Sequence, residues 1–278
     1  MQPRMQGKHV IAENIGNNGK RELDEALYCW ALQQLNPAIN LTKAQLCFQE
    51  LADCYEDKQR YFHSLGHPRS LLPEVSINLY ATFISSVEEL QVNFSDFLNS
   101  QMEILLPRKE ERIHEALIIL SLYYHDIVHR VGKKPQLLDK YLVDDSYHID
   151  ATQVPYAASM ATSQSTSRPE ELSCIAVEEN LRLLEINPKH LISILLAIMA
   201  TIPFQNFHHP DDLRKRLLKT LDLTGIDFSE DEINQSIDIA LEVSERDLSS
   251  FAHLTLKKFN EFTWAIICLL YTSPSPRD

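Results

Sequence analysis

Apolar residues recur along most of the chain with the period of an α-helix. In two segments they stand three or four residues apart throughout, which places them on one helix face. These positions are Ile113, Leu117, Leu120, Tyr124 and Val128 in the first segment, and Ile233, Ile237, Ala240, Ser244 and Asp247 in the second. No long alternation of β-branched residues with hairpin turns appears. The pattern predicts an all-α fold in a single compact multi-helix domain with few strands.

Helix-start signals divide this pattern into segments. They lie at Thr42–Gln45, Ser167–Glu170, Asn187–Pro188 and Ser229–Glu232. The apolar run 191–200 is too short for the roughly 20 residues of a membrane span, so we expect a buried helix that ends near Thr201. Residues 85–107 look irregular, and we expect an insertion there.

The chain ends differ in composition from the body. Residues 1–19 are polar and predict a flexible tail without a signal sequence, which leaves 20–267 as the domain. Residues 268–278 follow abruptly and look like the translation of a sequencing adapter. We expect this last segment to be non-native.

Composition excludes several classes of protein. The net charge of −13 argues against nucleic-acid binding and against a basic membrane anchor. Six glycines supply no phosphate-binding glycine loop, and five cysteines without a CxxC pair favour a reduced, cytoplasmic protein. No membrane association is expected, and the sequence leaves the oligomeric state open.

Eleven histidines are present, and two of them open the first candidate site. His63 and His67 are four residues apart, and neutral imidazoles suit divalent transition metals. Gly66 and Pro68 imply that a helix begins near His67, which leaves His63 in the preceding turn. The two rings could still converge.

The second candidate site is the pair His125-Asp126 at the end of an apolar segment. A buried carboxylate needs a cation or strong donors, and a metal ion supplies positive charge. His129 lies one turn later and could extend the site. The alternative is a helix end where a histidine caps carbonyls and Asp126 faces water.

The third element is Asp247, which shares a helix face with apolar residues. A carboxylate among apolar side chains needs a cation or hydrogen-bond donors beside it. The alternative is that Asp247 is the N-cap of a following helix whose first turn contains Ser249 and Ser250.

In this order, His, His-Asp and a distant Asp resemble the HD phosphohydrolase superfamily, and in particular its predicted metal-dependent HD-type members. The motifs that match are Arg60 with Phe62-His63 and His67, then Tyr124-His125-Asp126, then Asp247-Leu248. The resemblance covers about residues 28–255. It implies that His67, His125, Asp126 and Asp247 bind one or two divalent metal ions (Mn, Fe, Mg, Co, Ni or Zn). It also implies a catalytic role for Asp126 and makes His63 the proton donor.

Other polar residues could serve the same chemistry. His129, His148, His208 and His209 could supply a second metal or bind phosphate, or they could be loop histidines. Arg60, Arg69, Arg130 and Lys133 could bind a substrate phosphate, or they could be solvated surface charges. The predicted function is hydrolysis of a nucleotide or another small phosphorylated compound by metal-activated water. The alternative is a degenerate HD domain that binds a nucleotide or a partner protein without turnover.

Overall fold

The computed structural model describes residues 17–57, 64–86, 94–129, 132–143, 146–161, 165–166, 168–202 and 209–250. These residues are mainly helical, which confirms the predicted all-α class. The helices are α1 (Asn17–Leu35), α2 (Leu41–Tyr55), α3 (Gly66–Leu71), α4 (Glu74–Ser86), α5 (Phe94–Leu105), α6 (Lys109–Tyr124), α7 (Pro155–Met160), α8 (Pro169–Leu183), α9 (Pro188–Ala200), α10 (Pro210–Thr224) and α11 (230–250).

A short 3₁₀ helix, Gln136–Tyr141, leads into three very short strands. These are β1 (Leu142–Val143), β2 (Ser146–His148) and β3 (Ser165–Thr166). They form an antiparallel sheet in the order β1-β2-β3, in which Tyr147 lies opposite both Leu142 and Thr166. Strands of two or three residues are minor elements, in line with the prediction of few strands.

The core forms around α6, which packs against α1 and α9, while α9 also packs against α8. Every residue of α9 from Leu191 to Ala200 is buried, as the apolar run predicts. Along α6, residues from Glu115 to Tyr124 are buried on all sides. Within the part of the chain that the structure describes, no helix combines the length and hydropathy needed to cross a bilayer.

Two helix starts are capped as predicted. The Asn187 side chain accepts the backbone N–H of Lys189 at 2.9 Å. Ser229 and Glu232 form a reciprocal capping box before α11, with N···O distances of 2.7 and 3.3 Å.

Two local predictions are wrong. The N-cap of α2 is Asn40, which accepts the backbone N–H of Lys43 at 3.1 Å, so the helix begins before the predicted box at Thr42. Residues 94–105, expected to be irregular, form α5, which buries Phe94, Leu98 and Met102. Phe94, Leu98 and Met102 stand four residues apart, so the sequence does carry a helical period in this segment, and the prediction missed it.

The chain ends are described only in part. Helix α1 begins at Asn17, inside the predicted tail 1–19, and the rest of that tail lies outside the described residues. The end of the predicted domain (251–267) and the segment 268–278 also lie outside them.

Buried Glu178 on α8 predicts a pH-dependent stability. Its carboxylate accepts the backbone N–H of Ala157 at 2.6 Å at the start of α7, and burial raises its pKa to about 7. Because this folded-state pKa exceeds the ordinary 4.5, the stabilising contribution is complete below about pH 4.5 and is lost as pH rises through 7. The shift corresponds to a free energy on the order of 3 kcal/mol.

Glu178→Gln removes this titration and keeps an acceptor for Ala157. We therefore expect its unfolding free energy, relative to the wild type, to rise between pH 5 and pH 8. Urea denaturation at the two pH values measures the difference. The control is Glu103→Gln at an exposed position. Its unfolding free energy should differ from that of the wild type by the same amount at pH 5 and pH 8. An offset for Glu178→Gln that does not change with pH would contradict the prediction.

Candidate metal centre

Three separate parts of the fold bring four predicted ligands together. His67 lies in the first turn of α3, His125 and Asp126 follow the end of α6, and Asp247 lies in α11. The His67 and His125 Nε2 atoms are 3.2 Å apart. Asp126 Oδ2 lies 3.5 and 3.3 Å from these two nitrogens, and Asp247 Oδ1 lies 3.5 and 3.6 Å from them. The four residues that the resemblance assigned as ligands therefore lie next to one another in the fold.

The spacing of these atoms suits a metal ion. The ligand atoms of His67, His125 and Asp126 all lie within 4.8 Å of one another, so this group could hold an ion. A triangle with their edges of 3.2, 3.3 and 3.5 Å has its centre about 1.9 Å from each corner. Metal–nitrogen and metal–oxygen bonds are about 2.0–2.2 Å long. Two imidazoles and a carboxylate therefore surround a point at bonding distance, with Asp247 beside them.

The local backbone fixes the orientation of His125. Helix α6 ends at Tyr124, and the His125 N–H still bonds to the Ser121 carbonyl at 2.9 Å. The ring Nδ1 donates to the Leu122 carbonyl at 2.7 Å, because a carbonyl oxygen can only accept. In the neutral ring this leaves the lone pair on Nε2, the atom that faces His67 and both carboxylates.

The electrostatics of the centre favour a cation. Burial lowers the pKa of His125, but the carboxylates of Asp126 and Asp247 outweigh this effect and raise that pKa to about 9. Burial raises the pKa of Asp247, but the His125 and His67 imidazoles outweigh this effect and bring it down to about 2. The carboxyl end of α6 adds the negative end of its helix dipole. This raised pKa favours the protonated His125 ring at neutral pH, and a metal ion would take the place of that proton.

Asp247 lies within helix α11. The alternative of an N-cap for a following helix is therefore wrong. Ile233, Ile237, Ala240 and Ser244 on the same face are buried, as the period predicts. Asp247 itself is 23% exposed, and it faces the two histidines at the end of this apolar stripe. Asp126, at 18% exposed, likewise faces the cluster rather than open water.

None of the other candidate histidines that the structure describes belongs to this group of three. His148 is exposed on β2, and the exposed His209 is the N-cap of α10, accepting the backbone N–H of Asp211 at 3.3 Å. His129 is half-buried. Among the described residues no second group of three His, Cys, Asp or Glu side chains gathers in this way. His208 lies outside the described residues, as does the predicted proton donor His63.

Of the four basic residues proposed to bind phosphate, Arg60 and Arg130 lie outside the described residues. The other two have carboxylate partners. Lys133 Nζ lies 3.3 Å from Asp53 Oδ2. Arg69 forms a two-pronged ion pair with Asp24, with Nε 3.0 Å from Oδ1 and Nη2 bonded to Oδ2. Phosphate binding by either side chain stays a prediction.

Two charged residues outside the predicted set contact α3, the helix that carries His67. Asp24 on α1 is fully buried, and it also accepts the Tyr123 hydroxyl at 3.0 Å. The signal for Asp24 is its spacing from Leu27 and Ala31, which puts a carboxylate on an apolar helix face. Arg246 precedes Asp247 and bonds to the end of α3. The sequence offers no signal for that contact, because the residues it joins are far apart in the chain.

Comparison with known proteins adds no relationship: no protein-family model matches the chain, and no curated protein or solved structure matches it either. Function is therefore inferred from the chemistry of the site.

Proposed function

We propose that this protein is a metal-dependent phosphohydrolase of the HD type, acting on a nucleotide or another small phosphorylated compound. The observation that carries the proposal is the meeting of His67, His125, Asp126 and Asp247 around one point. Their order along the chain is the order of the HD motif. Their contacts join positions up to 180 residues apart, a span that follows from the numbers of His67 and Asp247.

Packing alone is a poor explanation for this cluster. Bringing two carboxylates and two imidazoles out of water costs free energy unless a cation or bound protons compensate. A purely structural helix contact would more economically use apolar side chains, which occupy most of the other buried positions of α6 and α11. A buried polar cluster in an otherwise apolar contact is typical of a functional site.

The chain supplies the following parts of the proposed chemistry. His67, His125, Asp126 and Asp247 would hold the ion, and the Leu122 carbonyl keeps the His125 ring in the ligating tautomer. A bound divalent ion would lower the pKa of a coordinated water to about 7 and offset phosphoryl charge. His63 remains the predicted donor of a proton to the leaving oxygen.

The substrate class follows from charge. The net charge of −13 opposes binding of a long polyanion such as DNA or RNA. A small phosphorylated compound needs positive charge only where its phosphate lies, and a divalent ion in this cluster would supply it. Manganese, iron, magnesium, cobalt, nickel and zinc are all candidates.

The proposal is tested on the full chain purified without chelators. We expect elemental mass spectrometry to find about one equivalent of a transition metal, and a phosphoester and nucleotide screen with that metal to reveal turnover. A chelator should abolish the turnover, and adding the same ion back should restore it. A folded protein that binds none of manganese, iron, cobalt, nickel or zinc would overturn the proposal.

A second candidate is a non-catalytic HD domain that binds a nucleotide or a partner protein. It is favoured by the positions of His129, His148 and His209, which lie outside the one ligand group of the described residues. Bound metal with no turnover of any nucleotide or phosphomonoester would select this candidate over the hydrolase.

A further inference from the structure

Helix α3 carries His67 but has only six residues. So short a helix is not stable by itself in water, because nucleation is costly. Its position, and hence that of the His67 ring, must be fixed by contacts with other elements. The Asp24–Arg69 ion pair provides one such contact, from α1.

Arg246 on α11 contacts the carboxyl end of α3, just beyond Arg69. The Nη1 group donates to the carbonyls of Leu71 and Leu72, each at 3.3 Å. The last carbonyls of a helix lack partners within the helix, and an arginine side chain can satisfy them. Arg246 directly precedes Asp247, so the residue that contacts the end of α3 is the neighbour of one that contacts His67.

Arg246 is itself held in place. Glu242, one turn earlier on α11, accepts its Nε at 3.0 Å and its Nη2 at 2.6 Å. Glu242 also lies 3.4 Å from His114 Nε2 on α6. The chain of contacts His114–Glu242–Arg246–Leu71 therefore joins α3 and α11, which carry His67 and Asp247, to α6, which His125 and Asp126 directly follow.

We propose that Arg246 is a positioning residue of the metal centre, which sets the distance of His67 from His125 and Asp247 by fixing the end of α3 to α11. Its role in metal binding rests on the proposed function, while its role in placing His67 does not. The planar guanidinium suits the task because it reaches two carbonyls and one carboxylate at once.

The test uses the full chain with Arg246→Met, which removes the donors, and Arg246→Lys, which keeps the charge. Arg214→Met is the matched control, because Arg214 pairs with Glu230 on the surface, away from α3. All variants are compared by circular dichroism at a temperature where they are folded. Cobalt affinity is measured by titration, and the ligand-field absorption of bound cobalt reports the arrangement of its ligands.

We expect Arg246→Met to weaken cobalt binding about 10–100-fold, as loss of a residue supporting a metal ligand does, and to shift the ligand-field bands. Arg246→Lys should recover part of both effects, and Arg214→Met should change neither. Unchanged affinity and bands in folded Arg246→Met would overturn the proposal.

A metal-free measurement separates this proposal from the proposed function. The ring centroids of His67 and His125 are 5.2 Å apart, so their ring protons should give a nuclear Overhauser effect without metal. We expect it to weaken in Arg246→Met and to persist in Arg214→Met. If the wild type binds no metal but this change occurs, the metal proposal fails and the positioning role stands. If the effect is undiminished in Arg246→Met, the positioning role fails.

Discussion

Replacing Arg69 by methionine should destabilise the folded protein by about 3–5 kcal/mol, the usual cost of removing one partner of a buried ion pair. Asp24 is fully buried and would lose both guanidinium bonds, and of its partners among the described residues the Tyr123 hydroxyl would remain. Burial opposes the charge of Arg69, but its bonds to Asp24 outweigh this effect and raise the pKa of Arg69 above its ordinary value. Burial raises the pKa of Asp24 as well, but the two parallel bonds from one guanidinium are the geometry of a charged arginine–carboxylate pair. Equilibrium urea denaturation at pH 7 measures the loss.

The control is Arg214→Met, which breaks an ion pair whose side chains are 34% and 64% exposed. Such surface pairs contribute about 0–1 kcal/mol. Adding Asp24→Asn to Arg69→Met removes the unpaired carboxylate and leaves an acceptor for Tyr123, so the double variant should regain part of the lost stability. If Arg69→Met costs no more than Arg214→Met, the Asp24–Arg69 pair does not hold α3 in place.

Replacing Asp126 by asparagine should abolish the stabilisation of the protein by metal ions. Asparagine has nearly the same shape but lacks the charge that faces both imidazoles at 3.3 and 3.5 Å. We expect at least a 100-fold weaker affinity, beyond the 10–100-fold that loss of a supporting residue costs. At a metal concentration of 100 times the wild-type Kd, binding stabilises the wild type by about 2.7 kcal/mol and such a variant by only about 0.4 kcal/mol.

Melting curves with and without cobalt or manganese show this difference directly. A gain of 2.7 kcal/mol raises the Tm of a domain of this size by roughly 5–10 °C. Asp238→Asn is the control, because Asp238 is exposed on α11 and outside the cluster, and it should melt as the wild type does. An equal metal-induced shift in Asp126→Asn and the wild type would show that the ion binds elsewhere.

Much of the fold and part of the site are local properties of the sequence. The apolar periods over 113–124 and 233–247 predict α6 and the buried face of α11. The helix-start signals at Asn187 and Ser229 predict where two helices begin. Apolar spacing and capping act between residues a few positions apart, so they can be read without knowing the fold. Residues 94–105 carry the same kind of local signal, since Phe94, Leu98 and Met102 stand four residues apart, and the prediction of an irregular segment overlooked it.

From the sequence, the cost of burying a carboxylate singled out Asp126 and Asp247, and the resemblance to the HD motif added His67 and His125 to the ligand set. The sequence could not determine that these residues are partners of one another, since that depends on how α3, α6 and α11 pack across up to 180 residues. Only the tertiary structure shows that Arg69 pairs with Asp24 and that Arg246 bonds to the end of α3. The physical reason is that a side chain's charge is encoded locally, whereas the group that neutralises it is chosen by packing.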